Sequence, residues 1–147
     1  MVEAAPYKLL IVDDHALVRS GMRVVLEDRA NISAIDEASN GERAVDMAAR
    51  QHYDLVLMDM NLPGMNGLEA SERIIGYLPD VRIIMVTGQV DAALSRSFAK
   101  AGIAGYISKD SNADEIKNAV QRVINGNAHM SPDVAQRVAI DMMHGEL

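Results

Sequence analysis

The chain has 147 residues, 49% of them apolar, with no cysteine, 14 Lys and Arg against 21 Asp and Glu, and a formal net charge of −7. That is enough for one domain with a real hydrophobic core, and too apolar for a disordered chain. It excludes disulfide and thiolate chemistry, lacks any apolar run near the roughly 18 residues of a membrane span, and disfavours nucleic-acid binding, which needs clustered Lys and Arg.

The start, "MVEAAPYK", lacks the basic and then apolar order of a secretory signal, and with the missing cysteines it fits a cytoplasmic protein. Residues 9–12 form the first apolar run, a candidate strand that ends at Asp13 and Asp14. A helical stripe follows at Val18, Met22, Val25 and Leu26, weakened by Gly21. Residues 32–35 give a second strand and residues 55–58 a third. The third runs straight into Asp59 and then turns sharply through Pro63 and Gly64, a costly place for a charge unless it is paired or metal-bound. Gly76 weakens the helix before the fourth strand, residues 83–86, which ends at Thr87. Leu94, Phe98 and Ala101 mark the next helix, and residues 105–107 the fifth strand, two residues before Lys109.

Ile116, Ala119, Val120, Val123 and Ile124 then trace a clear helical stripe, closed by Gly126 and Asn127. The strands are nearly continuous apolar runs, as expected where both faces are covered, and alternation with helices predicts an α/β fold with a parallel sheet and right-handed crossovers. The tail offers Ser131 as an N-cap, Pro132 at the first helical position, and a narrow stripe at Val134, Val138 and Met142. Residues 5–127 are expected to form the domain. Residues 128–147 are expected to form an extra C-terminal helix on the domain or, as the resemblance given below implies, to begin an interdomain linker.

This order of elements gathers the polar residues. Asp13, Asp14, Asp59, Thr87 and Lys109 all fall at carboxyl ends of parallel strands, the edge where open α/β sheets bind ligands. Three carboxylates repel one another, and a hard divalent cation with oxygen ligands, such as Mg²⁺ or Mn²⁺, relieves this. Carboxylates, a cation, a hydroxyl and an ammonium around one aspartate describe a phosphoryl-transfer centre with Asp59 as nucleophile. Taken singly, each residue has a plainer reading as a helix cap, a turn residue or a solvated charge. The conjunction at four of five strand ends favours the site. The histidines at 15, 52, 129 and 144 have no metal-ligand spacing, and His15 reads as a first-turn helix residue. The ten methionines read as core and interface filler.

The stretches "IVDDH", "LVLMDMNLPGMNG", "IIMVTG" and "GYISKD" resemble the receiver domain of two-component response regulators, over Leu9 to about Asn125. "DDHALVRSGMRVVLED" and "GYISKDS" are similar to the NarL/LuxR-type branch, whose members carry a C-terminal helix-turn-helix. The resemblance implies a CheY-like, flavodoxin-like doubly wound sheet of five strands in the order 2-1-3-4-5, with helices on both faces. It implies that Asp59 accepts a phosphoryl group from a sensor histidine kinase. Asp14 and Asp59 would bind Mg²⁺ or Mn²⁺ through side chains, Asn61 through its backbone carbonyl and Asp13 through water. Thr87 and Lys109 would contact phosphoryl oxygens, and Tyr106 matches the aromatic switch residue. It further implies control of transcription through an attached helix-turn-helix domain. The acidic balance and the 14 Lys and Arg spread without a cluster predict no DNA binding by these residues themselves, and the lack of a long apolar run predicts no membrane partner; a homodimer is left open. Many receivers have proline after the lysine, whereas Asp110 follows Lys109 here, as in much of the NarL-type branch.

Two other classes compete. An aspartyl-phosphate phosphatase of the haloacid-dehalogenase style needs a second aspartate two positions after the nucleophile, where this chain has Asn61, and a cap insertion that is lacking. A receiver-like interaction module without phosphorylation would be expected to lose a site residue, and none is lost.

Overall fold

The computed structural model describes residues 6–27, 31–88, 91–130 and 132–144. Strands and helices alternate as β1 (Tyr7–Val12), α1 (Ala16–Leu26), β2 (Ile32–Ala38), α2 (Gly41–Arg50), β3 (Leu55–Asp59), α3 (Gly67–Tyr77), β4 (Arg82–Thr87), α4 (Ala92–Ala101), β5 (Gly105–Ser108), α5 (Ala113–Ile124), β6 (His129–Met130) and α6 (Pro132–His144). The sheet is parallel and ordered β2-β1-β3-β4-β5-β6. It is the expected flavodoxin-like arrangement with one correction: six strands, not five.

The sixth strand is two residues long, too short to leave an apolar run in the sequence. Gly126, at φ 92°, turns the chain after α5, where its N–H donates to the Val123 carbonyl. Gly105 then lets β6 come close, since a Cβ there would lie 2.8 Å from the His129 carbonyl oxygen.

Alternate residues of each strand face opposite layers. Leu10, Val12, Val56, Met58, Ile83 and Met85 pack with Ala44 and Met47 of α2, Ala70 and Ile74 of α3, Phe98 of α4 and Val138 of α6. Leu9, Ile11, Leu55, Leu57, Ile84, Val86 and Ile107 pack with Met22 and Leu26 of α1 and with the expected α5 stripe. Four helices carry side-chain N-caps, with Asn40, Asn66, Asp91 and Asn112 accepting from the N–H groups of Arg43, Glu69, Leu94 and Glu115.

Some stripes are narrower than expected. Val18 is 41% exposed, and beside it Leu17 and Val24 leave an apolar row on the outside of α1. In the tail Val138 is buried, yet Met142 faces solvent. The expected cap Ser131 and the boundary at residue 5 lie outside the described residues, as does the Val134 side chain. The α6 helix packs against α4 and β5.

Candidate functional site

The register of the central strands builds one edge. Val12 stands opposite Met58 and Asp59 opposite Val86, so Asp13 follows β1 at the level where β3 ends in Asp59. Thr87 and Ser108 pair at the ends of β4 and β5, and Lys109 follows.

The first corner is a hydrogen-bonded turn. Asp13 is 3% exposed. Its Oδ1 accepts from the His15 backbone N–H at 2.8 Å, and the His15 ring Nδ1 lies 3.0 Å from the same oxygen. The ring is also 3.1 Å from Asp14 Oδ1. His15 is therefore not a first-turn helix residue but the extended residue before α1, at φ −103° and ψ 111°, and its side chain does not cap the helix. The Asp13 carbonyl accepts from Arg19 Nη1 at 2.6 Å, and Arg19 Nε donates to Glu37 at 3.0 Å. Arg23 also binds Glu37, and this hydrogen bond, aided by Arg19 and opposed by burial, holds the Glu37 carboxyl below its usual range.

The turn after β3 explains its glycines. Met60 N–H donates to the Val86 carbonyl, and Gly67 N–H returns to the Met60 carbonyl, so α3 starts hard against the end of β3. A Cβ on Gly67 would sit 2.3 Å from the Asp59 carbonyl oxygen. Gly64 takes the left-handed region at φ 73°, and Met65 N–H is held by Glu42 at 3.1 Å.

Asp59 itself is 1% exposed. Its Oδ1 accepts from Asn61 N–H at 2.9 Å and faces Lys109 Nζ at 3.2 Å, while Oδ2 is buried with no hydrogen-bond partner. Burial pushes its carboxyl above the ordinary range; the Asp13 charge adds to this, and the Asn61 N–H and Lys109 only partly oppose it. Thr87 is buried, and its carbonyl accepts from Lys109 N–H at 3.0 Å, which ties the two strand ends together.

One ligand atom from each of Asp13, Asp14, His15 and Asp59 falls in a group where all lie within 4.8 Å of one another. Crowded carboxylates with an orphan buried oxygen fit a hard divalent cation. Sequence reasoning missed His15 in this set. The signal lies in its place directly after Asp13 and Asp14, but the reading of His15 as a first-turn helix residue points its ring away from them, whereas its extended backbone before α1 brings the ring to both carboxylates.

Tyr106 lies two residues before the end of β5. Its hydroxyl is 2.5 Å from Ser95 Oγ on α4, and its ring meets Phe98 edge-on at 5.3 Å. Ser95 was also missed, since a lone helix serine carries no pattern. Among the described residues no peptide bond is cis, that between Lys109 and Asp110 included.

A family profile described as "Response regulator receiver domain" matches residues 9–121. The response regulator UvrY of Escherichia coli K12 is 41% identical over 138 residues, covering 94% of this chain and 63% of that protein. GacA of Pseudomonas aeruginosa PAO1 is 35% identical, covering 90% and 62%. The chain thus spans less than two thirds of the curated relatives it matches. A LuxR-family two-component response regulator from Aurantimonas sp. SI85-9A1 superposes with a TM-score of 0.87 at 31% identity, covering 95% of this chain and all of that one.

Proposed function

This chain belongs to the response regulator receiver domain family, and on that premise we propose that Asp59 accepts a phosphoryl group from a sensor histidine kinase and drives a switch read by an attached DNA-binding domain. The observation that carries this reading is the Asp59 carboxylate itself: buried, backed by Lys109 at 3.2 Å, with Oδ2 uncommitted. A buried carboxylate of this kind has lone pairs to give and little water to compete for them.

In the proposed reaction a carboxylate oxygen of Asp59 attacks phosphorus. The bond between phosphorus and the donor's nitrogen breaks, its electron pair leaves with the imidazole, and an acyl phosphate forms on Asp59. Lys109 meets the added charge with its ammonium, and Thr87 donates its hydroxyl to a phosphoryl oxygen. When bound, Mg²⁺ or Mn²⁺ would be held by Asp13, Asp14 and Asp59 together with the Asn61 carbonyl. The bound cation supplies countercharge that lets another anion enter an acidic pocket.

We take residues 5–127 as the receiver and 128–147 as the segment leading to the output domain. Tyr106 is the proposed switch, moving as Thr87 is drawn to the phosphoryl group. No helix among the described residues is long and apolar enough to cross a membrane, and a cytoplasmic setting suits a kinase-fed regulator of transcription. The chain acts as a phosphoacceptor with self-phosphorylation and autodephosphorylation only, and leaves DNA contact to the output domain.

Intact mass after treatment with acetyl phosphate tests the assignment. One phosphoryl group should add with Mg²⁺, none with EDTA, and none in Asp59→Asn. Full labelling of Asp59→Asn would overturn it.

A further inference from the structure

We propose that His15 gives this acidic pocket a nitrogen ligand, so that it binds a borderline transition cation such as Co²⁺, Ni²⁺ or Zn²⁺ through Asp13, Asp14, His15 and Asp59, in competition with Mg²⁺. The inference rests on reading the pocket as a cation site and adds a second class of ion to it.

Three observations support it. The four ligand atoms lie within 4.8 Å of one another. His15 Nδ1 stands 3.0 Å from Asp13 Oδ1 and 3.1 Å from Asp14 Oδ1, about the separation of neighbouring donors around an ion bound at roughly 2.1 Å. The Asp59 carboxylate, 1% exposed, keeps Oδ2 buried without a hydrogen-bond partner, a lone-pair donor that a cation would satisfy.

The chemistry then sets selectivity. Carboxylate, carbonyl and water ligands suit Mg²⁺ and Mn²⁺, whereas imidazole favours Co²⁺, Ni²⁺ and Zn²⁺. Adding one imidazole to an oxygen set raises affinity for the second group far more than for the first. The side chain is 64% exposed and makes no helix cap, so it is open to an entering ion and its replacement leaves the core intact.

The test titrates the intact chain with Co²⁺, followed by its visible absorption, and with Mg²⁺ by calorimetry. The proteins are wild type, His15→Ala and His52→Ala, with His52 as a control because it pairs with Asp54 away from this edge. The ratio of Co²⁺ to Mg²⁺ affinity should fall about tenfold or more in His15→Ala, the loss expected of a removed ligand interaction, and stay as in wild type in His52→Ala. A ratio within twofold of wild type in His15→Ala overturns the proposal, as does Co²⁺ binding that is lost in His52→Ala instead. If wild type binds Co²⁺ through His15 but takes neither Mg²⁺ nor phosphate, the transition-metal site stands and the phosphoryl reading falls.

Discussion

The Tyr106 hydroxyl and the Ser95 hydroxyl lie 2.5 Å apart, and this contact ties the fifth strand to α4 on the face that α6 covers. Tyr106 is only 8% exposed and shares its cluster with Phe98 and Val138. A switch through this ring must therefore break a hydrogen bond of about 1 kcal/mol and rearrange packing under α6. Ser95→Ala should lower that barrier. Its Tyr106 NMR signals should shift toward the phosphorylated positions before any phosphodonor is added. Signals unchanged from wild type would remove Ser95 from the switch.

Thr87 and Lys109 should separate acceptance from response. Thr87→Ala should still label with acetyl phosphate, yet lose most of the Tyr106 shift on beryllofluoride addition. Lys109→Ala should lose both, because it removes the cation 3.2 Å from Asp59 Oδ1. A full Tyr106 shift in Thr87→Ala would contradict the assignment.

The raised Asp59 carboxyl has a consequence for stability. A group whose folded pKa lies above its unfolded value stabilises the fold below the unfolded pKa, and this contribution is lost as pH rises through the folded pKa. In metal-free buffer Asp59→Asn should thus melt a few degrees above wild type at neutral pH, with the difference shrinking as pH falls through the carboxylate range. Mg²⁺ should raise the wild-type Tm and leave that of Asp59→Asn unchanged. A metal-free Asp59→Asn that melts below wild type at neutral pH would show that the Lys109 pair outweighs burial.

Two glycines should respond with opposite signs. Gly67→Ala drives a Cβ into the Asp59 carbonyl and the Met60 backbone, at 2.3 and 2.8 Å, and should cost about 2 kcal/mol or more in urea unfolding. Gly21→Ala meets nothing within 4 Å in the middle of α1 and should stabilise by about 0.5–1 kcal/mol.

Much of this was legible because apolar runs and polar strand ends obey simple rules. Leu9 to Val12 and Leu55 to Met58 need two covered faces, which makes a parallel sheet, and a parallel sheet puts Asp13, Asp59, Thr87 and Lys109 on one edge. Other features depend on partners distant in the chain. The second strand continues through Asp36 and Glu37 because Tyr53 and Lys8 engage the first, while Arg19 and Arg23 engage the second. The sixth strand depends on the room left by Gly105. The place of the His15 ring follows from a single extended residue between two carboxylates and a helix, and residue spacing says nothing about that.

The most direct test of the central claim is chemical localisation of the phosphoryl group. Borohydride reduces an aspartyl phosphate to homoserine, so protein labelled with acetyl phosphate and Mg²⁺, then reduced and digested, reports the acceptor by peptide mass. The account predicts homoserine at position 59 and at no other aspartate. Homoserine at Asp13 or Asp14, or a labelled protein that yields none, would contradict it.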